Sequence, residues 1–404
     1  MRIPELDGVR AIAILLVIGC HYEPFSELAG GLPSYGWIGV DIFFVLSGFL
    51  ITSILIELRN TASPLKTFYV RRVLRIFPVY YLMILVISAV SLACNEHLVH
   101  FGYYVSRFCF LQSFEPSPAL LHKAWTSILN LDLHRPLFSH VRLPGQQVGA
   151  PLAPWGNSLG IAWSLSIEEY FYLLWAPAVI FLKDRWKVGV AAAVLFFASV
   201  AIEYLGFQGL PDYFDFFCRV DTMMAGALLA LFLRWRSRAS VTSRRRADAL
   251  LGVLAVILAA VCVAVLALNW PFLGRELRDS PSFMLLGLPA FSLLIALTLG
   301  WIVRRRGALL LPMRLLRCAP LRALGVISYS LYLVHIPVYY ASLRAAAMFR
   351  LTGPAAGWIV SAAALFVSIL CSALSWKFFE TPILRLKDRW APTQARVALD
   401  VAAG

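Results

Sequence analysis

Charged side chains are scarce in this chain, and acidic ones scarcer still. They make up 14% of its 404 residues, 36 basic against 22 acidic, where soluble domains carry roughly a quarter. Set beside 60% hydrophobic residues, that scarcity excludes an ordinary soluble globular protein. Cysteine is sparse too. The seven (Cys20, Cys94, Cys109, Cys218, Cys262, Cys318, Cys371) are scattered, odd in number and without metal-ligand spacing, so no metal site is expected. Cys94 and Cys109 are the pair that would share the outer side, where a disulfide is open to them. The sequence also lacks an internal repeat, a low-complexity tract and an appended soluble domain.

Long apolar runs dominate what is present. About ten approach the ~20 residues that cross a bilayer as helix: Gly8 to Tyr22, Trp37 to Glu57, Leu74 to Ala93, Ala162 to Leu182, Val188 to Leu205, Phe216 to Leu233, Ala249 to Leu268, Phe283 to Val303, Leu324 to Ser342 and Ala355 to Trp376. The expected fold is an all-α polytopic membrane protein, a bundle of about ten transmembrane helices around a central polar cavity.

The net charge of +14 follows from topology rather than from nucleic-acid binding. Basic residues gather in alternate loops, among them Arg59 to Arg75, Lys183 to Lys187, Arg234 to Arg246, Arg304 to Arg322 and Lys377 to Arg389. The positive-inside rule puts these loops and both termini in the cytoplasm, and runs such as Arg244-Arg245-Arg246 read as anchors beside anionic lipid. The expected location is a bacterial inner membrane.

Within the first apolar run, RAIAILLVIGCHY, Arg10 and His21 stand eleven positions apart. Eleven residues of helix come within about 20° of three full turns and rise about 16 Å, so both side chains leave one face at different depths. Ionisable groups in hydrocarbon face a polar cavity or a bundle interior and mark a functional site. Val17-Ile18-Gly19-Cys20 resembles a lipoprotein cleavage box, but Glu5 and Asp7 stand where such signals carry a basic leader. The segment therefore reads as a retained span.

Two stretches break the helical pattern. Residues 94–160 form a long outer loop with six prolines and a short apolar part from Phe101 to Phe114, interfacial or re-entrant. It holds five histidines (His97, His100, His122, His134, His140), read as solvated loop residues rather than metal ligands. Its aromatics Tyr103, Tyr104, Trp125 and Trp155 suit sugar stacking and a membrane-interface belt equally. The inner loop from Arg304 to Leu321 carries Pro312 and Pro320 and room for a short surface helix. Ser166 and Glu169 fit a capping box. Arg219 has a plausible i, i+4 partner in Asp215, and Ser47-Gly48-Phe49 suits close helix packing.

Seven strings occur in order: RIPELDGVRAIAILLVIGCH, GVDIFFVLSGFLIT (39–52), FYVRRVLRIFPVYYL (68–82), WSLSIEEYFYLLWAP (163–177), CRVDTMMAGALLA (218–230), ISYSLYLVHIPV (327–338) and FFETP (378–382). Together they resemble the acyltransferase-3 family of membrane O-acyltransferases over nearly the whole chain. Where the family usually reads Glu-Glu-Gln-Phe-Tyr, this sequence has Glu168-Glu169-Tyr170-Phe171-Tyr172. The resemblance is to the stand-alone type without an SGNH hydrolase domain, with residues 1–390 as the acyltransferase unit and 391–404 as a cytoplasmic tail.

The resemblance implies transfer of an acyl group, expected to be acetyl, from cytoplasmic acyl-CoA to a hydroxyl on a carbohydrate or glycolipid acceptor, with the lipid bilayer as the other partner and no nucleic acid. Arg71, Arg72 and Arg75 would bind the CoA phosphates, since arginine grips phosphate bidentately; Arg10 would face the same site. His21 is the expected general base, its ordinary pKa near 6.5 suiting proton transfer. Glu168 would orient His21 or bind the acceptor. Asp41, Ser164, Tyr172, Arg219 and Asp221 resemble family positions in the cavity. Ser328, Tyr332 and His335 share a helical face that either lines the cavity or ties helices together. Two other readings remain: a transporter or flippase for a glycolipid or small anion, which buried charges suit as well, and acyl transfer to a cytoplasmic small glycoside.

Overall fold

In the computed structural model, residues 3–23, 25, 32–94, 107–110, 155–206, 215–268 and 282–391 are described, and their regular structure is helical throughout. The expected sites on His97, His100, Tyr103, Tyr104, His122, Trp125, His134 and His140 lie outside them.

Each apolar run coincides with a helix. In chain order these are α1 (Pro4–His21), α2 (Ile38–Leu58), α3 (Pro64–Ala93), α4 (Trp163–Phe181), α5 (Arg185–Gly206), α6 (Phe216–Arg238), α7 (Val241–Leu268), α8 (Leu288–Arg304), α9 (Leu311–Leu316), α10 (Ala319–Val326), α11 (Ser328–Met348), α12 (Pro354–Ser375), α13 (Thr381–Arg385) and α14 (Lys387–Trp390). Among the described residues, seven helices are long and apolar enough to span, and eight if a bent pair counts as one. The expected ten shrink because α1 carries Glu5, Asp7 and Arg10, and α4 carries Glu168 and Glu169. The bent pair is α10 and α11, which meet at 76°, so the run from Leu324 is a corner rather than one straight span. The stretch expected as a loop from Arg304 to Leu321 supplies α9 and the start of α10.

Among the candidate spans, α2 and α6 are the most enclosed and α7 the least. The central crossing needs glycine on both partners: a Cβ on Gly48 would overlap the Met223 carbonyl, and one on Gly226 the Val45 carbonyl. Small residues permit this backbone approach where apolar burial alone supplies little drive, lipid being as apolar as leucine. Helix α10 closes against α1 in the same way, Gly325 resting on the Asp7 carbonyl. Glu5 accepts from the Gly307 amide at 2.9 Å and lies 3.5 Å from Arg317.

Prolines inside helices free carbonyls that side chains recover. Pro177 strips α4 of the amide that would reach Leu173, and the Tyr69 hydroxyl donates to that carbonyl at 3.1 Å. At the end of α4, Arg59 donates to the Val179 and Lys183 carbonyls at 2.5 and 2.6 Å, a cation placed where the helix dipole favours one.

Candidate active site

The last residue of α1, His21, meets His335 of α11, with His335 Nε2 3.3 Å from His21 Nδ1. The two rings are tilted by 51° with centroids 5.2 Å apart. Backbone carbonyls assign the tautomers. His21 Nδ1 lies 2.7 Å from the Val17 carbonyl and His335 Nδ1 2.6 Å from that of Tyr332; an oxygen acceptor demands N–H on each. His335 Nε2 is then an acceptor that shares the His21 Nδ1 proton, and Nε2 is left as the basic nitrogen of His21. His335 is fully buried and His21 partly so. Tyr22 braces the pair: its hydroxyl donates to the His335 carbonyl at 2.8 Å and its ring stacks on Tyr339 at 4.4 Å.

A second cluster joins α1, α2, α3 and α4. Helix α3 begins at Pro64 rather than near Leu74, so Arg72 and Arg75 sit two to three turns inside it instead of opening a span at the membrane face. Arg72 lies over the Tyr172 ring at 5.3 Å and near Phe68 at 5.7 Å. Glu168 accepts from Ser47 at 2.7 Å and from the Tyr172 hydroxyl at 3.0 Å. Arg75 follows Arg72 by three residues on α3 and keeps accessible surface. Arg10 is held by Asp7 at 3.0 Å.

Several sequence expectations change here. Glu168 bonds Ser47 and Tyr172, whereas His21 Nδ1 meets the Val17 carbonyl and His335. Arg71 donates to the Ala391 carbonyl at 3.0 and 2.8 Å, with Asp388 3.9 Å away. Ser166 lies inside α4, which follows directly from the 3-10 helix Trp155–Ala162, and its hydroxyl donates to the Phe110 carbonyl. Tyr332 donates to the Ile161 carbonyl at 3.0 Å and pairs with Ser164 at 2.7 Å, while Ser328 donates to Gly325 at 3.0 Å. Within that stripe His335 belongs to the histidine pair, Tyr332 flanks it with its ring 5.8 Å from that of His335, and the Tyr332 and Ser328 hydroxyls bond backbone carbonyls. Trp155 is covered by Arg344, 4.1 Å above its ring. Cys94 and Cys109 are free thiols.

The third cluster is fully buried between α2, α5, α6 and α8. Arg219 pairs with Asp41, and Glu203 lies 3.9 Å away. Asp215 instead caps α6, accepting from the Phe217 amide at 2.8 Å, because an α6 that starts at Phe216 needs its first donors satisfied. Asp221 accepts from Thr222 at 3.2 Å, and Thr222 contacts Ser292 at 3.0 Å. Sequence reasoning missed Glu203 and Glu380. The first is a lone acid in the last turn of an apolar run; the second sits in the FFETP string and accepts from Ser330 and, at 3.1 Å, from Ser375.

Ionisable groups held this deep define a polytopic membrane protein with chemistry or transport inside its bundle. The particular kind follows from sequence comparison: a family profile described as an acyltransferase domain matches residues 3–377, and the chain belongs to the acyltransferase-3 family. It is 29% identical to the peptidoglycan O-acetyltransferase OatA of Listeria monocytogenes, over 94% of this chain and 56% of that protein. The O-acetyltransferase OatA of Staphylococcus aureus is 27% identical, over 94% and 57%. The chain thus spans just over half the length of these relatives. No solved structure matches it.

Proposed function

We propose that this protein is a membrane O-acetyltransferase that moves an acetyl group from cytoplasmic acetyl-CoA to a hydroxyl of an envelope carbohydrate, with His21 as general base. The observation that carries the reading is the His21–His335 contact, which leaves His21 Nε2 basic in the same bundle as Arg72, Arg75 and Glu168. Relatives named for O-acetylation of peptidoglycan support acetyl as the group and a glycan as the acceptor.

In the proposed reaction His21 Nε2 takes the acceptor hydroxyl proton as the oxygen attacks the thioester carbonyl. The carbon–sulfur bond breaks, CoA leaves as thiolate, and His21 returns its proton to the sulfur. His335 Nε2 accepts the Nδ1–H of the transient imidazolium and holds the ring in place. Arg72 and Arg75 meet the donor's phosphates as paired guanidiniums on one helix face. Arg71, held by Ala391, tethers the C-terminal segment instead. Alternate basic loops support a plasma-membrane protein with both termini inside, so the thioester would pass through the bundle from an inner donor to an outer acceptor.

The test is mass spectrometry of surface glycans and glycolipids from cells fed isotope-labelled acetate and expressing either the wild type or His21→Ala. A labelled acetyl ester only with the wild type is expected. Equal labelling with both proteins folded in the membrane overturns the base assignment, and labelling with neither overturns acetyl transfer to the surface.

A further inference from the structure

At one end of the bundle, α6, α7 and α8 converge on a cavity of about 650 Å³. Arg236 comes from the last turn of α6, Asp248 from the first turns of α7, Arg304 from the end of α8 and Arg305 from its cap. Asp248 receives Arg236 at 3.2 and 2.9 Å and Arg304 at 2.6 Å. One carboxylate therefore organises two guanidiniums, and Arg305 beside them brings the charge of the cavity to a net +2. None of these residues belongs to the clusters described above.

Beside it lies a second cavity of about 180 Å³ lined by Leu228, Phe232, Leu254, Leu293 and Ala296. Leu251, Leu297 and Arg304 line both. Together they offer a cationic head and an aliphatic tail, and α7, the least covered of the candidate spans, lines both parts. Trp301 lies at the cationic part, 37% exposed, as expected where tryptophan marks the headgroup level. Arg236, Arg304 and Arg305 sit at helix ends and Asp248 two turns into α7, so the cationic part lies at one end of these apolar helices, where a membrane–water boundary is expected.

We propose that this groove is a binding site for an anionic phospholipid, with the phosphate on Arg236, Arg304 and Arg305 and one acyl chain along the leucine-lined channel. Arginine suits a phosphate diester because its planar fork offers paired donors, and basic pockets between transmembrane helices are where such headgroups lodge. The Asp248 bridge holds two guanidiniums side by side before lipid arrives, which lowers the ordering cost of binding. The site is independent of the proposed acetyl transfer and would persist if that reading failed.

Native mass spectrometry of the full-length solubilised protein, titrated with phosphatidylglycerol or with phosphatidylcholine of the same chains, tests this. The wild type is expected to retain phosphatidylglycerol preferentially. Arg305→Gln should lower that retention about fivefold, and Leu251→Trp, which fills the junction of the two cavities, should lower it at least as much. Arg350→Gln removes the same charge from an exposed position outside the groove and outside the basic loops, and should leave retention unchanged. Equal retention of both lipids by the wild type overturns the site. So does an Arg305→Gln effect no larger than that of Arg350→Gln, or full retention by folded Leu251→Trp. Displacement of the lipid by millimolar inorganic phosphate would show a free-anion site instead and would also overturn it.

Discussion

His335 Nε2 lies 3.3 Å from His21 Nδ1, joining residues 314 positions apart in the chain into one hydrogen-bonded pair. The contact gives His335 a positioning role in the proposed reaction. His335→Ala should lower the turnover number about 10- to 100-fold, the loss of roughly one hydrogen bond to a charged group, with little change in the KM for the donor. His335→Asn keeps a polar partner and should recover part of the rate. Equal loss in both variants with matched folding would mean that His335 only packs.

His21 itself should matter more. General acid–base catalysis contributes about 10²- to 10⁴-fold, and His21→Ala should lose at least that much activity while keeping the same elution profile and thermal midpoint. Wild-type turnover in this variant would remove His21 from the chemistry.

The three neighbouring arginines should separate in kinetics. Arg72→Ala and Arg75→Ala are expected to raise the donor KM by about tenfold or more, as for charge-assisted phosphate contacts worth roughly 1.5–3 kcal/mol. Arg71→Ala should leave that KM near its wild-type value, because its guanidinium is committed to the Ala391 carbonyl. Donor titrations at saturating acceptor would show the contrast, and equal KM effects at all three positions would return Arg71 to the donor site.

The buried Arg219–Asp41 pair is expected to act on stability first. Removing one partner of a buried ion pair costs about 3–5 kcal/mol because the other charge is left without compensation. Arg219→Leu should therefore lower the thermal midpoint of the solubilised protein sharply, more than Asp41→Asn, which keeps a hydrogen-bonding group. A melting curve unmoved by Arg219→Leu would exclude the pair as a stabilising element.

Gly48→Leu is a packing test. A side chain there meets the Met223 backbone, which has no flexible end to yield, so the variant should fail to accumulate as a folded species. Normal yield and monodispersity would show that α2 and α6 can separate.

What the sequence determined by itself was the helical class, the place of the apolar runs, and the spacing of Arg10 and His21 along one helix. These follow from hydropathy, the 3.6-residue period and charge placement, which are local properties of a chain in lipid. The family resemblance was legible on the same terms, as ordered strings of residues. Only the tertiary structure decided partners: that His335 and not Glu168 meets His21, that Arg219 reaches across to Asp41 and Glu203 rather than along its helix to Asp215, and that Arg71 turns from Arg72 and Arg75 toward Ala391. Helix spacing limits which neighbours can share a face, but a buried polar group takes whichever partner another helix brings within reach, since leaving it unsatisfied in hydrocarbon costs several kcal/mol. Which helix that is depends on close crossings such as Gly48 with Met223, contacts between residues far apart in sequence that no local pattern encodes.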